Sequence, residues 1–181
     1  ETIMSVDVAD GKKANDSLIF MESSLDLCGI DIIADMEFSF HIFDSAQWET
    51  YLDTEPIIIK TSAADTYVYR YDDSGNLAYE GNDIKVVVKE LSEDASLFGP
   101  SIVVYIENAS DQDVTIQTRD ESVNGFMVET IFSCDIAAGK YAISTITFME
   151  SDLEENNITT IDDVEFYFHI VEADGWDTIV D

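Results

Sequence analysis

Apolar and polar residues alternate along most of the chain, with the period of two that is typical of β-strands. In the clearest run, Phe38, Phe40 and Ile42 share one face, and the polar residues between them point to the other. Further runs with this alternation occupy residues 67–71, 84–89, 102–107, 114–117 and 165–170. An Asn-Gly pair at 124–125 is the strongest hairpin signal in the chain. The pattern therefore predicts many short strands joined by tight turns.

One stretch of this pattern occurs twice. Residues 1–53 (copy 1) align without a gap with residues 129–181 (copy 2), at a constant offset of 128, and 25 of the 53 aligned positions are identical. The chain is thus one repeat of about 128 residues plus a second copy of its last part. A short helical turn is predicted in each copy, with Ser23 and Ser151 as the N-caps.

The repeat defines the expected domains. Roughly seven or eight short strands per repeat, separated by turn signals, predict an all-β fold of antiparallel Ig-like β-sandwich repeats. Residues 1–62 would be the C-terminal part of one repeat and hence an incomplete sandwich. Residues 67–181 would form a second, nearly complete sandwich that lacks its closing strand, with Phe166, Phe168 and Ile170 buried.

Composition narrows the classes of partner. The chain has 39 acidic and 8 basic residues and a formal net charge of -31, while its apolar content of 46% is that of a globular protein. Such a surface repels nucleic acid and anionic lipid. No apolar run approaches the roughly 18 residues that a membrane-spanning helix needs. We therefore expect neither nucleic acid as a partner nor a membrane-spanning segment.

Candidate chemistry is sparse. His41 and His169 occupy equivalent positions, but neither belongs to a spacing known from metal or catalytic sites, so we expect structural or surface roles for them. The sequence contains no Gly-rich phosphate loop or nucleophile elbow. We predict a protein that is not an enzyme, without catalytic residues, metal or cofactor, in which calcium acts only weakly through charge screening.

Trp48 and Trp176 are identical in the two copies and allow two interpretations. The favoured one is a core plug, because each follows a polar turn and precedes a short apolar run. In the alternative, the indole is exposed and stacks on a glycan or another small ligand, since its ring offers apolar area and π-electrons. The solvent exposure of Trp176 decides between them.

The unequal halves of the repeat indicate how the molecule could assemble. Residues 56–61 form the predicted closing strand, with Ile57 and Ile59 as its apolar face, and copy 2 has no counterpart of it. Unpaired strand edges and apolar faces favour association. We expect completion by a neighbouring repeat or by an identical chain, through strand donation or domain swapping, and head-to-tail donation would build filaments.

Four segments and one tryptophan also carry a resemblance to a known family: residues 107–115, 122–126, 138–140 and 165–170, and Trp176. They resemble a repeat domain of exported proteins, surface proteins and lipoproteins of gut clostridia (Firmicutes). The resemblance covers nearly the whole chain. It implies an Ig-like sandwich and an extracellular or cell-surface location, and it brings no catalytic residues. The resulting hypothesis is a non-enzymatic repeat module that acts as a spacer or a protein-interaction domain; the alternative is a domain that binds a glycan or small ligand through exposed aromatic residues.

Overall fold

The computed structural model of the chain describes residues 4–93 and 95–181. The chain forms two compact units, which we call unit 1 (Glu1–Tyr71) and unit 2 (Asp72–Asp181). Every strand pairing among the described residues is antiparallel, and the two helices have six residues each. The predicted all-β fold of antiparallel sheets is confirmed.

Unit 1 consists of one helix and one long β-hairpin. Its elements are α1 (Glu22–Leu27), β1 (Asp35–Phe38), β2 (His41–Phe43), β3 (Thr50–Asp53) and β4 (Ile57–Lys60). β1 pairs with β4 and β2 with β3. Two hydrogen bonds between Phe40 and Thr54, of 2.8 and 3.0 Å, join the two ladders into one hairpin. Its second arm is interrupted at Pro56, which has no N–H to donate.

Unit 2 contains the remaining strands and the second helix. They are β5 (Asn76–Gly81), β6 (Ile84–Ser92), β7 (Ser101–Asn108), β8 (Val114–Val123), β9 (Phe126–Met127), β10 (Thr130–Ile131), β11 (Ser133–Ile136), β12 (Lys140–Phe148), α2 (Glu150–Glu155), β13 (Val164–Glu172) and β14 (Thr178–Val180). One sheet has the order β10-β12-β7-β6-β5, and the other has the order β11-β8-β13-β14 with β9 paired to β8.

The two sheets of unit 2 share one apolar core. Val86, Val104 and Ile146 come from the first sheet, and Ile116 and Ile170 from the second, and none of the five is measurably exposed. This is the sandwich that the alternation predicts. The expected burial of Phe168 and Ile170 is confirmed, and Phe166 is partly buried against the same core.

Some turns follow the sequence signals, and others do not. Asn124 and Gly125 have φ angles of 52° and 80° and join β8 to β9, so the predicted Asn-Gly hairpin is confirmed. The predicted N-caps Ser23 and Ser151 are wrong. The helices begin at Glu22 and Glu150, with Met21 and Met149 at the N-cap positions, and neither makes a side-chain capping bond. In α2 the burial of Leu153 sets the helix register instead of a cap.

The alternating run at residues 67–71 forms no strand, contrary to the prediction, and it belongs to unit 1 rather than to the start of the second repeat. The chain turns there instead, with the N–H of Tyr67 donating to the carbonyl oxygen of Ala63 at 2.9 Å. The hydroxyl group of Tyr69 donates to the carbonyl oxygen of Cys28. Tyrosine alternation alone does not make a strand where no neighbouring strand offers a ladder.

The helix and the last hairpin of each copy have the same local structure, whereas residues 5–8 and 12–20, the counterparts of β11 and β12, form no strand. α1 and α2 have the same bounds at an offset of 128. The β2–β3 and β13–β14 ladders share their register, because Ile42 pairs with Leu52 as Ile170 pairs with Val180. The two copies differ in their neighbours: β7 and β8 pair with the strands of copy 2. The surfaces described below depend on this difference.

Candidate functional site

Unit 1 exposes apolar side chains whose counterparts form the core of unit 2. We call these residues the open face: Val8, Leu18, Phe20, Phe40 and Ile42. Their counterparts all belong to the core cluster: Ile136, Ile146, Phe148, Phe168 and Ile170. Val8 is 53% exposed where Ile136 is 3% exposed, and Ile42 is 44% exposed where Ile170 is fully buried. None of the described residues of unit 1 is buried. The side chains at the positions that form a core in unit 2 therefore form no closed core in unit 1.

The strands that cover these positions in unit 2 are β7 and β8. β12 pairs along its length with β7, and β13 pairs along its length with β8. Residues 12–20, the counterpart of β12, form no strand, because a strand needs a neighbour for its ladder. In unit 1 the β1–β2 arm is paired on the side of β3 and β4, which is the side of β14 in unit 2. The opposite side, where β8 lies in unit 2, has no paired strand among the described residues.

A cavity of about 370 Å³ opens beside the open face. Phe20, Leu25, Ile33 and Met36 line it, and Tyr69 closes part of it. Burial of the Tyr69 hydroxyl group raises its pKa, and the nearby Cys28 and Tyr67 raise this pKa further. The lining is mainly apolar, so the cavity continues the open face towards α1 and enlarges the apolar surface that a partner could cover.

The tips of the two equivalent hairpins present the tryptophans. Trp48 is 77% and Trp176 64% exposed, so the expectation that they plug the core is wrong. Both have a left-handed backbone, with φ of 57° and 58°. Their N–H groups donate to the carbonyl oxygens of Asp44 and Glu172, at 2.7 and 3.0 Å. A bulky residue rarely adopts the left-handed backbone conformation, which costs about 1–2 kcal/mol of conformational free energy. Both copies retain a tryptophan in this conformation.

The surroundings of the two indoles differ. The Trp48 ring stacks on Phe43, with ring centroids 5.1 Å apart and an angle of 16° between the planes. In the other copy this phenylalanine is replaced by Val171, and Trp176 follows Asp174 and precedes Asp177. Each indole therefore offers an open ring face on a tip held by backbone hydrogen bonds.

Each histidine approaches one aspartate, at equivalent positions of the two copies. His41 Nδ1 lies 2.5 Å from Asp53 Oδ1, and His169 Nδ1 lies 2.9 Å from Asp181 Oδ1. Although the second distance is short, the angles are not those of a hydrogen bond. Asp181 also accepts a 2.7 Å bond from Arg119 Nη1 of β8. His41 is exposed and His169 is buried, and both lie on the strand face opposite the open face or its buried counterpart.

The residues of the predicted donor strand are placed within unit 1. Ile57 and Ile59 lie on β4, opposite Phe38 and Met36 of β1, and both remain partly exposed. In unit 2 the matching side of β13 is paired with β14 only at Ile170 and beyond. Donation of β4 to that edge of another chain remains a prediction.

The described residues contain no group of three or more His, Cys, Asp or Glu side chains placed to hold a metal ion. Among the same residues, no helix is long and apolar enough to span a membrane. Comparison with protein-family models, with curated proteins and with solved structures finds no match for this chain.

The sequence carries different signals for the open face and for the two exposed tryptophans. The two copies share their apolar positions, so the sequence alone does not distinguish the open face from the buried core. The exposure of the tryptophans has one sequence signal: Trp48 is kept between positions 43–47 and 49, which all change in the other copy. A residue that stays constant in a turn that varies indicates a role outside the core.

Proposed function

We propose that this chain is a non-enzymatic, Ig-like tandem-repeat module of an extracellular or surface protein, and that it works by associating with other protein segments. The observation that supports this most directly is the open face: the same positions are buried in unit 2 and either exposed or only partly buried in unit 1. The strongly acidic composition and the resemblance to exported clostridial domains favour the extracellular location. A role as a spacer between such repeats is part of the same proposal.

The size of the open face makes association favourable. Burying a Val, Leu, Ile or Phe side chain is worth roughly 1.5–3 kcal/mol, so five half-buried side chains leave about 4–7 kcal/mol unrealised. Exposed apolar side chains in this number favour association with another surface. The unpaired side of β2 adds backbone donors and acceptors that a partner strand could satisfy.

Binding of an apolar fluorescent dye tests this proposal. We expect the intact chain to bind the dye, and Ile42→Asp to reduce binding several-fold because it places a charge in the open face. Tyr51→Asp is the matched control, since Tyr51 is exposed on β3 and does not belong to the open face. A chain that binds no dye, or that responds equally to the two substitutions, contradicts the proposal.

Strand donation between chains is a more specific form of the same function. Here β4 of one chain would extend the β13 edge of another, and repeated head-to-tail contacts would build filaments. Ile57→Asp should abolish any growth in scattering that the chain shows at rising concentration, whereas Ile58→Asp, on the other face of β4, should have less effect. A strictly monomeric chain at every concentration rules out this form.

A second candidate function is the binding of a glycan or other small ligand. The specific observation in its favour is that Trp48 and Trp176 are both exposed and both held with positive φ. Titration with oligosaccharides, followed by tryptophan emission, tests it: binding should be lost in Trp176→Ala and kept in Phe126→Ala, an exposed aromatic elsewhere on unit 2. Unchanged emission across a broad set of sugars contradicts this candidate.

A further inference from the structure

We propose that the open face of unit 1 is the acceptor for a β segment of the same kind as residues 72–128, brought by another repeat. This inference rests on the proposed function and names its partner. Unit 2 serves as the template: there, residues 72–128 supply the strands β5 to β9, and copy 2 packs on them. Copy 1 has the same helix and the same hairpin register as copy 2, and its open face has no covering strand among the described residues.

The apolar positions of copy 1 match this partner. Phe20, Phe40 and Ile42 are identical to their counterparts in copy 2, and Val8 and Leu18 differ from theirs only among aliphatic residues. In unit 2, the counterpart of Ile42 pairs with Ile116 of β8, and the counterpart of Leu18 pairs with Ile102 of β7. A donor with these two strands would meet the same residues as in copy 2, except for the isomeric Leu18 and for Val8, which is one methylene smaller than Ile136.

Polar groups that bind β8 in unit 2 are also kept in copy 1. Asp135 accepts a 2.7 Å hydrogen bond from Thr115 Oγ1, and its counterpart is Asp7. Asp181 accepts the 2.7 Å bond from Arg119, and its counterpart is Asp53. Both counterparts are aspartates, and both are exposed in unit 1. Because Asp53 already bonds His41 within its own hairpin, Asp7 is the stronger of the two indications that a strand like β8 binds here.

The ladders within each chain decide against an identical chain as the donor. In a second copy of this chain, residues 72–128 are already engaged by its own copy 2. Two long ladders hold them there, β12 with β7 and β13 with β8. Lending that segment to copy 1 of another chain would uncover copy 2 and bring no net gain in pairing. The donor must therefore be a segment like residues 72–128 that is not already paired with a copy 2 of its own.

The sequence itself offers a way to build the test. Residues 1–3 and residues 129–131 are both Glu-Thr-Ile, so an additional copy of residues 72–128 fused in front of Glu1 recreates the junction that follows Val128. The whole chain is retained in this extended protein. The matched control carries Val104→Asp and Ile116→Asp in the added segment only, so that the donor cannot pack.

Hydrogen exchange of the amides at residues 12–20 and 40–43 is the readout. We expect exchange in the extended protein to slow by at least about tenfold relative to the unextended chain, because these residues gain ladder partners, and the control to stay unchanged. Dye binding should fall in parallel. Equal exchange in the extended protein and its control overturns the proposed donor.

The same measurements separate this inference from the function on which it rests. If the unextended chain binds no dye and its residues 12–20 are already protected, the open face is not open and the proposed function fails with it. If the face is open but the added segment does not protect it, only the donor is wrong. If the unextended chain gains protection at rising concentration while its mass doubles, a second copy covers the face, and the proposed donor is again refuted.

Discussion

The contrast between the two copies can be measured with one substitution made twice. Ile42 and Ile170 are identical residues at equivalent places in equivalent hairpins, and they differ in burial. Replacing each with alanine removes the same atoms. Any difference in the free energy of unfolding therefore reports the surroundings and not the residue.

The expected magnitudes follow from the structure. Ile170 is fully buried between the sheets, and core Ile→Ala substitutions cost about 2–5 kcal/mol, so we expect about 4 kcal/mol. Ile42 is nearly half exposed and borders no closed core, so only about half of the transfer term is lost and no cavity forms, which gives about 1 kcal/mol. For a unit of this size, the first value corresponds to a fall in Tm of about 15 °C.

Urea unfolding followed by circular dichroism checks this prediction, with the slope of the transition compared among variants to detect any loss of two-state behaviour. Ile170→Ala should lower the midpoint of the main transition several times further than Ile42→Ala does. Equal losses from the two substitutions, or a larger loss from Ile42→Ala, would refute the assignment of an open face.

Three further outcomes are expected. Gly99→Ala should destabilise unit 2 by more than about 2 kcal/mol in thermal unfolding, because φ is +147° and a Cβ would lie 2.2 Å from the carbonyl oxygen of Phe148. Hydrogen bonds from Ser74 and then from Lys89 hold the pKa of Asp72 far below its usual value. The ionised Asp72 therefore contributes its full stabilisation above the ordinary pKa of an aspartate. That stabilisation is lost as the pH falls through the lowered pKa of the folded state. Asp72→Asn should therefore flatten the acid limb of the stability–pH curve. Calcium should raise Tm only as much as sodium at matched ionic strength, and a saturable effect at micromolar calcium would reveal a cation site.

The sequence predicted the parts of the fold that depend on local pattern. The alternation around Phe38, Phe40 and Ile42 and the Asn-Gly turn at 124–125 both gave correct elements, because face and turn type are encoded within a few residues. The run at 18–21 shows the limit of this reasoning. In copy 2 the equivalent residues end β12, and in copy 1 they form no strand, although Phe20 and Met21 are identical in both. The difference lies in the tertiary partner, which the local sequence does not contain.

The exposed tryptophans could not be predicted for a related reason. An apolar aromatic residue near a strand is usually buried, and tryptophan is not a residue that favours positive φ. The hairpin tip imposes that conformation through backbone bonds such as the one from Trp48 to Asp44, and it turns the indole towards solvent. Only the retention of the residue in both copies indicated that its position matters.

Hydrogen exchange within a single sample of the unaltered chain tests the open face most directly, because residues 12–20 and 140–148 are equivalent segments of the two copies. The amides of 140–148 that bond to β7 should exchange only when unit 2 unfolds, whereas those of 12–20, which have no ladder, should exchange at least about 10³-fold faster. Comparable protection of the two segments would contradict the account, since it would mean that copy 1 is already covered.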